Sequence, residues 1–506
     1  MKNRQGKVDV EVTSDYGRAI FSSSIRRLQQ KAQVFPLEDN AAVRSRLTHS
    51  LEVAYLGRTI AQKIVSGLRG ARTLSPAGAS AFVTLVETSC LVHDIGNPPF
   101  GHFGENEIRK WCSKHWEKVV GKCKPTDSLV MKRLGQDFSG FDGNPQGFRI
   151  LTRLAWARDK HGMNLTHATL CAAQKYCGTP DKVASRAPLL KKPGWFFSED
   201  TIASAARVAC GVREMRRHPA VFVMESADDI AYCLSDIEDG FEKGVYDVRL
   251  FRRNFKRLLE RELGKASIKL TEARLAKDRL VDVLSLLDSR DPHPVSAPFF
   301  KFKVWLTRVL VESAAEGFVV HYDKIVAQDM EAPILESNPV AHAVLEGLKA
   351  FAREYLFCSP EAEQMELAGA AAIRGILDAM NPLLELAPAV FQALNGGRFK
   401  IDDLRLDAPP RQNANEPENP DKRTENHAKR SALEQRLARL LPEKHVLAYG
   451  ETTRAIARQY PEIQHDSVEQ YGRVHLIIDY LSGMTDGFAL ALYQRLSGTH
   501  AGLGRA

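Results

Sequence analysis

The sequence predicts an all-α fold with at most a minor β-hairpin. Apolar residues recur at helical spacing from Val43 to Val65, and a nearly continuous apolar run, FVTLVETSCLVH, ends at His93. A long amphipathic pattern, in which charges of both signs separate apolar residues, extends from Tyr246 to Leu394. The few candidate strands are short, so helices packed on helices are the expected architecture.

Glycine and proline interrupt the pattern directly after the apolar run. A cluster of both residue types between Gly96 and Gly101 ends that helix, and a polar-faced helix is expected from about Gly104 to Trp116. The stretch from Gly121 to Gly147 is rich in Gly, Pro and Asp. We expect this stretch to form a long loop.

A second region of short elements follows. Residues 159–162, DKHG, have the composition of a tight turn between LTRLAWA and MNLTHA, which predicts the small hairpin. Helical patterns return from Asp200 to Arg217 and from Ala220 to Lys243, with Pro219 between them.

The second half of the chain carries the longest helical patterns. Its clearest amphipathic segment is RLLERELGKASIKLTEARLAKDRLVDVL, and its charge runs indicate a solvated helix face. Pro409 to Lys429 is strongly polar, which predicts a flexible surface loop. Residues 431–506 return to a helical pattern.

Composition narrows the class of protein. The 506 residues are 44% hydrophobic and 26% charged, as in ordinary globular proteins. The sequence has no run of about 18 consecutive apolar residues and no apolar signal core, so a cytoplasmic location without a membrane span is expected. Eight scattered cysteines without a CxxC pair indicate reduced thiols. The net charge of +8 favours an anionic partner.

Three places in the sequence offer residues that bind metals. They are His49, the pair His93-Asp94 at the end of the apolar run, and Asp228 within FVMESADDIAYCL; His102 and Glu105 follow close behind the pair. Two imidazoles and two carboxylates from three helices make a plausible ligand set for Mn, Fe, Co, Zn or Mg. Acidic residues flanked by apolar ones are costly to bury without a cation or donors.

The order H…HD…D resembles the HD phosphohydrolase superfamily. The longer string HDIGNPPFGHFGE is similar to the bacterial deoxyguanosinetriphosphate triphosphohydrolase family. So are SSSIRRLQQKAQVFPLE, ESADDIAYCLSDIED and DYLSGMTDGFALALYQRL, in the family's order along nearly the whole chain. The resemblance implies an HD-domain helical core, here elaborated by long additional helices.

The resemblance also implies roles for individual residues. His49, His93, Asp94 and Asp228 take the positions of the metal ligands, although from sequence alone the neighbouring Asp229 is an alternative to Asp228. The implied cofactor is one divalent ion, Mg²⁺ or Mn²⁺, with Co²⁺, Fe²⁺ or Zn²⁺ as alternatives.

His102 and Glu105 take the positions of the catalytic histidine and its acidic partner. A carboxylate three residues further along a helical turn can orient the imidazole. Whether His102 acts as general acid or as general base stays open at this point.

Six residues are candidates for substrate binding. Arg46 lies one helical turn before His49, and Tyr232 and Asp236 lie one and two turns after Asp228, so each shares a face with a metal ligand. The resemblance implies that Lys175 and Tyr176 contact phosphate. It also implies that Tyr232 and Asp236 hold the deoxyribose with help from Gln33, the tyrosine ring excluding a 2′-hydroxyl.

The implied reaction is the metal-dependent hydrolysis of dGTP, or of other deoxynucleoside triphosphates, to the deoxynucleoside and inorganic triphosphate. Two alternatives stay open: an HD phosphohydrolase of other specificity, and a nucleic-acid-binding regulator with an HD fold. The implied assembly is a homo-oligomer, with a hexamer favoured. Single-stranded DNA or a nucleotide is a candidate effector.

The same observations predict how the chain is divided. Residues 20–245 would form the HD-type catalytic core and residues 246–394 a helical elaboration of it. Residues 395–430 would form a flexible polar loop, and residues 431–506 would pack back on the core.

Overall fold

The computed structural model describes residues 7–120, 125–155, 161–184, 187–269, 274–275, 278–279, 284, 297–395 and 432–499. Within these residues the fold is all-α, as the sequence predicts. The only described strands, β1 (Arg274–Leu275) and β2 (Asp278–Arg279), form a two-residue antiparallel ladder. No helix in the described ranges combines the length and the apolar character needed to cross a membrane.

The first half of the chain supplies most of the residues that line the pocket described below. In chain order its helices are α1 (Val8–Ile20), α2 (Ser23–Arg27), α3 (Arg46–Gly67), α4 (Pro76–Val92), α5 (Gly101–Val120), α6 (Pro125–Leu134), α7 (Gln136–Ser139), α8 (Gly143–Arg149), α9 (His167–Ala172), α10 (Asp200–Ala209) and α11 (Pro219–Glu242).

Helices of the second half are longer on average. They are α12 (Val248–Lys265), α13 (Ala297–Val320), α14 (Tyr322–Val326), α15 (Pro339–Phe351), α16 (Pro360–Glu385), α17 (Pro388–Leu394), α18 (Ala432–Leu440), α19 (Glu443–Gln459), α20 (His465–Ser482) and α21 (Asp486–Leu496).

Short helical turns of other types connect these helices. The 3₁₀ turns are Leu28–Gln30, Gly70–Arg72, Pro180–Lys182, Pro188–Leu190, Phe197–Glu199 and Ile334–Ser337, and the π-helical turns are Ile150–Leu154 and Ala352–Leu356.

Two hydrophobic clusters hold the helices together. The first joins α1, α3, α4 and α11 to α12, α13 and α15. The second joins α5 and α7 to α16, α19, α20 and α21. Phe100, which immediately precedes α5, belongs to the second cluster. His49 lies on α3 and Glu105 on α5, so the candidate site draws residues from elements of both clusters.

The predicted loop from Gly121 to Gly147 is wrong for its described part. Three helices, α6, α7 and α8, occupy most of it. Pro125 is the first residue of α6, a position where its fixed φ favours the helix and its missing N–H is not needed. Asp142 caps α8 by accepting the Asn144 N–H at 3.0 Å. Proline and aspartate, which are typical of loops, therefore serve here as helix starts.

The predicted hairpin around residues 159–162 is also wrong in its flanks, and part of its turn lies outside the described residues. Ile150–Leu154 is a π-helical turn and His167–Ala172 an α-helix. The chain does reverse, because the Met163 N–H donates to the Leu151 carbonyl at 2.9 Å. Thr166 then caps the following helix by accepting the Thr169 N–H, so the described residues on either side of the turn form no strand pair.

Two predicted helices are shorter than expected. The helix predicted from Asp200 to Arg217 ends at Ala209, where Gly211 takes a φ of +64° and the Val212 N–H closes back on the Arg207 carbonyl. Within the amphipathic segment that begins at Arg257, helix α12 ends at Lys265. The described residues of TEARLAKDR lie in β1 and β2 instead. The predicted polar loop from Pro409 to Lys429 lies outside the described residues.

Candidate active site and metal centre

His49 reaches the pocket from the first turns of α3. Ser45 caps this helix, its side chain accepting the Thr48 N–H while the Thr48 hydroxyl accepts the Ser45 N–H. This start fixes Arg46 and His49 on one helical face, as their spacing predicts. Both side chains are buried.

His93 and Asp94 follow α4 at the point where the helix ends. The His93 Nδ1 atom lies 2.7 Å from the Cys90 carbonyl oxygen. This contact favours the tautomer with the proton on Nδ1, so the Nε2 lone pair is directed to the pocket. The buried Nε2 makes no hydrogen bond, which is the arrangement expected of a metal-ligating histidine.

Asp228, on α11, completes a compact group with the two histidines. Its Oδ1 atom lies 3.4 Å from Nε2 of His49 and 3.4 Å from Nε2 of His93. The ligand atoms of these three residues lie within 4.8 Å of one another. Asp94 adds Oδ1 at 3.5 Å from the His93 Nε2. The Asp229 Oδ2 atom lies 3.4 Å from the Lys349 Nζ atom. The geometry therefore favours Asp228 over Asp229 as the metal ligand.

The charges of this group are strongly coupled. Burial opposes ionisation of His93, yet the Asp94 and Asp228 carboxylates raise the pKa of His93 to about 9. Burial likewise opposes ionisation of Asp228, but Lys175 and His93 hold the pKa of Asp228 well below its usual range. Two ionised carboxylates beside imidazole nitrogens form a site where a divalent cation can replace a proton.

His102 and Glu105 form a pair at the start of α5. His102 Nδ1 lies 2.9 Å from Glu105 Oε2, as the spacing predicts. The His102 side chain is 73% exposed, whereas that of Glu105 is 1% exposed. The second Glu105 oxygen accepts the Gly143 N–H at 2.8 Å. Glu105 is thus fixed from two sides and can orient an imidazole that remains accessible to a substrate.

Close packing explains two of the glycines in this segment. A Cβ atom on Gly96 would lie 2.1 Å from both the Gly143 carbonyl oxygen and the Gly147 nitrogen. Gly101 has a φ of +53°, and a Cβ there would lie 2.8 Å from Nη2 of Arg46. The sequence indicated only that these glycines end a helix. In the structure they also let α8 and Arg46 approach residues 96–105, which are called the catalytic segment below.

Basic side chains surround the metal group. Lys175 Nζ lies 3.0 Å from Asp228 Oδ2, and Arg46 Nη1 donates to Asp94 Oδ2 at 2.7 Å. Lys192 Nζ lies 2.7 Å from Asp142 Oδ2. These residues, with Tyr176, line a cavity of about 600 Å³ that also contains His49, His93 and His102. A polyphosphate would meet cations on several sides of this cavity.

The predicted sugar-binding residues line the same cavity. Both carboxylate oxygens of Asp236 are buried and make no hydrogen bond, and the same holds for the Gln33 side-chain oxygen. Burial and the nearby Asp239 raise the pKa of Asp236 well above its usual value. The Tyr232 ring stacks at 6.3 Å from that of Phe357. Buried polar atoms without partners are candidates to bind ligand hydroxyls.

All twelve predicted site residues therefore line one cavity. The cavity wall also carries residues that no motif indicates, among them Lys192, Lys349, Phe357 and Glu366. Lys349, Phe357 and Glu366 come from the helical second half, C-terminal to the charge runs that predict a solvated helix face. They carry no local motif, and only the packing of α15 and α16 beside α11 and α5 reveals them.

Comparisons with known proteins agree with this arrangement. Residues 46–139 match the HD domain family, and residues 423–495 match the phosphohydrolase-associated domain family. A protein of Pseudomonas aeruginosa named probable deoxyguanosinetriphosphate triphosphohydrolase is 36% identical over 499 residues, which cover 96% of this chain and 93% of the relative. Deoxyguanosinetriphosphate triphosphohydrolases of Yersinia enterocolitica and Yersinia pestis are each 34% identical, with the same coverage.

The HD match begins at Arg46, so it includes His49, the His93-Asp94 pair and the His102–Glu105 pair. The full-length similarity extends to α11 with Asp228 and to the C-terminal helices. Motif order, site geometry and similarity over nearly the whole chain agree, and the protein belongs to the deoxyguanosinetriphosphate triphosphohydrolase family of HD-domain proteins.

Proposed function

We propose that this protein hydrolyses dGTP to deoxyguanosine and inorganic triphosphate. The observation that carries the proposal is one cavity in which the His49, His93 and Asp228 group adjoins the His102–Glu105 pair and several cationic side chains. The names of the full-length relatives support the same reaction.

The triphosphate would occupy the basic part of the cavity. Arg46, Lys175 and Lys192 each contact a carboxylate and lie on its wall. Preorganised cations of this kind stabilise the charge that develops on a departing polyphosphate. Burial opposes the charged form of Lys175. The Asp228 carboxylate nevertheless raises the pKa of Lys175 well above its usual value, so this lysine stays charged near neutral pH.

The residues of the metal group fit a divalent cation. The free Nε2 atom of buried His93 and the Asp228 carboxylate between two imidazoles would hold it, with His49 and Asp94 as further ligands. Bound there, the ion would polarise a phosphoryl oxygen and lower the pKa of water. The ligand types suit Mn²⁺ and Mg²⁺, and also Co²⁺, Fe²⁺ or Zn²⁺.

The bond that breaks defines the role of His102. Water attacks the α-phosphorus, the bond to the 5′-oxygen of the nucleoside breaks, and the triphosphate keeps the α-phosphorus. The departing 5′-oxygen needs a proton. We assign this proton transfer to His102, with Glu105 holding its Nδ1.

Product analysis tests the reaction. Wild-type protein with dGTP and Mn²⁺ in H₂¹⁸O is expected to give unlabelled deoxyguanosine and triphosphate with one ¹⁸O atom. Formation of dGMP and pyrophosphate, or of dGDP and phosphate, would show that a different bond is cut. Label in deoxyguanosine would place the attack on carbon.

A variant of the metal group tests the cofactor. Asp94→Ala is expected to lose both bound Mn²⁺ and dGTP hydrolysis while its far-ultraviolet circular dichroism stays helical. Lys114→Ala, a change outside this cavity, serves as the matched control and should retain both. An Asp94→Ala protein that is stripped of metal and still fully active would contradict the proposal.

A further inference from the structure

Asp486, the first residue of α21, is a buried carboxylate whose oxygens serve the active-site segments. Its side chain is 2% exposed. Oδ2 accepts the Ala32 N–H at 2.8 Å, and Oδ1 accepts the Phe100 N–H at 3.0 Å. Both amides belong to segments far from α21 in the sequence.

Each amide lies within two residues of a proposed site residue. Ala32 is followed by Gln33, and Phe100 is separated from His102 only by Gly101. Phe100 has a φ of +61°, which is an uncommon and strained conformation for a residue with a side chain. Such a conformation persists only where surrounding contacts enforce it, and the Asp486 carboxylate supplies one of them.

Lys31 adds a second connection between the same segments. Its buried ammonium donates to the Asn97 carbonyl at 2.6 Å and to the Ser482 carbonyl at 2.7 Å. The Lys31 carbonyl in turn accepts the Arg46 N–H at 2.9 Å, at the start of the helix that carries His49. The N-terminal segment, the catalytic segment and the C-terminal helices thus meet at this lysine and Asp486.

We infer that Asp486 is a positioning residue of the reaction. Through the Phe100 and Ala32 amides it sets the place of His102 and Gln33, so the phosphohydrolase-associated segment completes the active site. The inference rests on the proposed role of His102. Asp486 itself does not line the cavity, whereas Ala32 and Phe100, whose amides it binds, both do.

A comparison with Glu469 separates this role from ordinary stabilisation. Glu469 is also fully buried in the C-terminal helices, but its carboxylate binds Arg473 and Tyr449 of the same helices. Its loss should destabilise the protein without moving the catalytic segment. Both carboxylate oxygens of Asp486 instead accept hydrogen bonds from backbone amides of the active-site segments.

The test compares Asp486→Asn, Asp486→Ala and Glu469→Gln in the full-length protein with Mn²⁺. Asn keeps one accepting oxygen, so kcat for dGTP should fall about tenfold in Asp486→Asn and about a hundredfold in Asp486→Ala, because small misplacements of catalytic groups cost such factors. KM should change no more than about threefold. Glu469→Gln should lower the melting temperature and leave kcat of the folded protein unchanged.

A double variant shows whether Asp486 acts through His102. If it does, adding Asp486→Ala to His102→Ala should reduce kcat by less than about threefold, since residues that act as a unit are not additive. A hundredfold further loss in that background, or wild-type kcat in folded Asp486→Ala, would overturn the inference.

Hydrogen exchange gives a readout without substrate. In Asp486→Ala, peptides containing the Ala32 and Phe100 amides should exchange faster, while peptides from α20 should match the wild type; unchanged exchange at both amides would overturn the inference. Failure of the proposed function would look different, because the wild-type protein itself would then release no deoxyguanosine.

Discussion

Glu366 is a carboxylate on the cavity wall, on the face of α16 that adjoins the active site. Burial and the neighbouring Glu363 raise the pKa of Glu366 to about 7. Guanine differs from the other DNA bases in presenting two adjacent donors, N1–H and N2–H, to a single carboxylate. An ionised Glu366 is therefore suited to recognise the guanine of dGTP.

We predict that Glu366→Gln lowers kcat/KM for dGTP by about tenfold to a hundredfold relative to dATP, the value of a hydrogen bond to a charged group. Only the ionised carboxylate accepts both donors, so the wild-type preference for dGTP should be full above pH 7 and decline as pH falls below it. The ratio of kcat/KM for dGTP to kcat/KM for dATP, determined from pH 5.5 to 8.5, measures this preference. Glu363→Gln, which removes the neighbouring charge, should keep the preference and move its midpoint to lower pH. A ratio independent of pH would contradict the assignment.

Tyr232 gives the second prediction at this scale. Its ring packs beside Phe357 and lines the cavity together with Asp236. If the ring excludes a 2′-hydroxyl by contact, Tyr232→Ala should raise the GTP to dGTP ratio of kcat/KM by about tenfold, a change of the size that pocket shape supports. Tyr232→Phe keeps the ring and should keep the wild-type ratio. An unchanged ratio in Tyr232→Ala would assign sugar discrimination to another group.

Single residues also show which parts of the site can be predicted from the sequence. The twelve predicted residues stand in motifs or at helical spacing from a motif residue, and helical geometry alone brings Arg46 beside His49. Lys192 and Glu366 have no such relation to a motif. Their place in the cavity depends on how segments distant in the chain pack, which no local pattern encodes.

At the scale of elements, α11 carries Asp228, Tyr232 and Asp236 and depends on its first residues. His218 is its N-cap, and the Nδ1 atom of His218 accepts the Ala220 N–H at 3.2 Å. Only the neutral imidazole offers this lone pair. Burial lowers the pKa of His218 to about 4.

This cap predicts a contribution to acid instability. The folded-state pKa of His218 lies below the value of about 6.5 expected in the unfolded chain, so the unfolded state binds the proton first. The stabilisation is full above pH 6.5 and is lost as pH falls toward 4. Thermal melting of His218→Asn, which retains a capping oxygen, should therefore depend less on pH between 7 and 5 than the wild type. His218→Ala should lose about 1 kcal/mol of the free energy of unfolding at pH 7. If the melting temperatures of the wild type and of His218→Asn changed in parallel with pH, the proposed role of the His218 cap would be contradicted.

Helices with a regular spacing of apolar residues agree well with their predicted bounds. Elements whose bounds depend on helix caps or on packing do not. The helices around His49, His93 and Asp228 appear within a few residues of their predicted bounds, because apolar spacing determines them. The short helices α6 to α8 were mistaken for a loop, since Pro125 and Asp142 are equally at home in turns and at helix starts. Ser267, with a φ of +59°, follows the end of α12 at a point where charge patterning predicts continuation.

At the scale of the whole molecule, the cavity lies where elements of the two hydrophobic clusters meet. His49, His93 and Asp228 are carried by helices of the first cluster, whereas Glu105 and Glu366 are carried by helices of the second. The division of the chain at residue 245 stays a prediction. Described residues between Phe100 and Phe141 share one cluster with the C-terminal helices, so the catalytic segment and the phosphohydrolase-associated helices are packed together.

The whole molecule also exposes an apolar surface. Tyr55 and Leu51 on α3 and Val304 and Phe300 on α13 are exposed by 68%, 44%, 54% and 57%. Leu51, Tyr55 and Val304 line a groove of about 550 Å³ above buried residues of α11. Contiguous apolar surface of this kind on a protein otherwise rich in charge marks an interaction site.

We predict that this groove is a contact between copies of the chain within a homo-oligomer, with a hexamer favoured by the family resemblance. Closed symmetric assemblies are the usual way in which such surfaces are covered. Light scattering at micromolar concentration should give a multiple of the 56.4 kDa chain mass for the wild type. Tyr55→Arg combined with Val304→Glu should reduce that multiple, because burying two new charges in an apolar contact costs several kcal/mol. Val208→Glu, at an exposed apolar position on α10, is the matched control and should leave the mass unchanged. A wild-type mass near that of one chain would contradict the oligomer, and a double variant with the wild-type mass would move the contact to another surface.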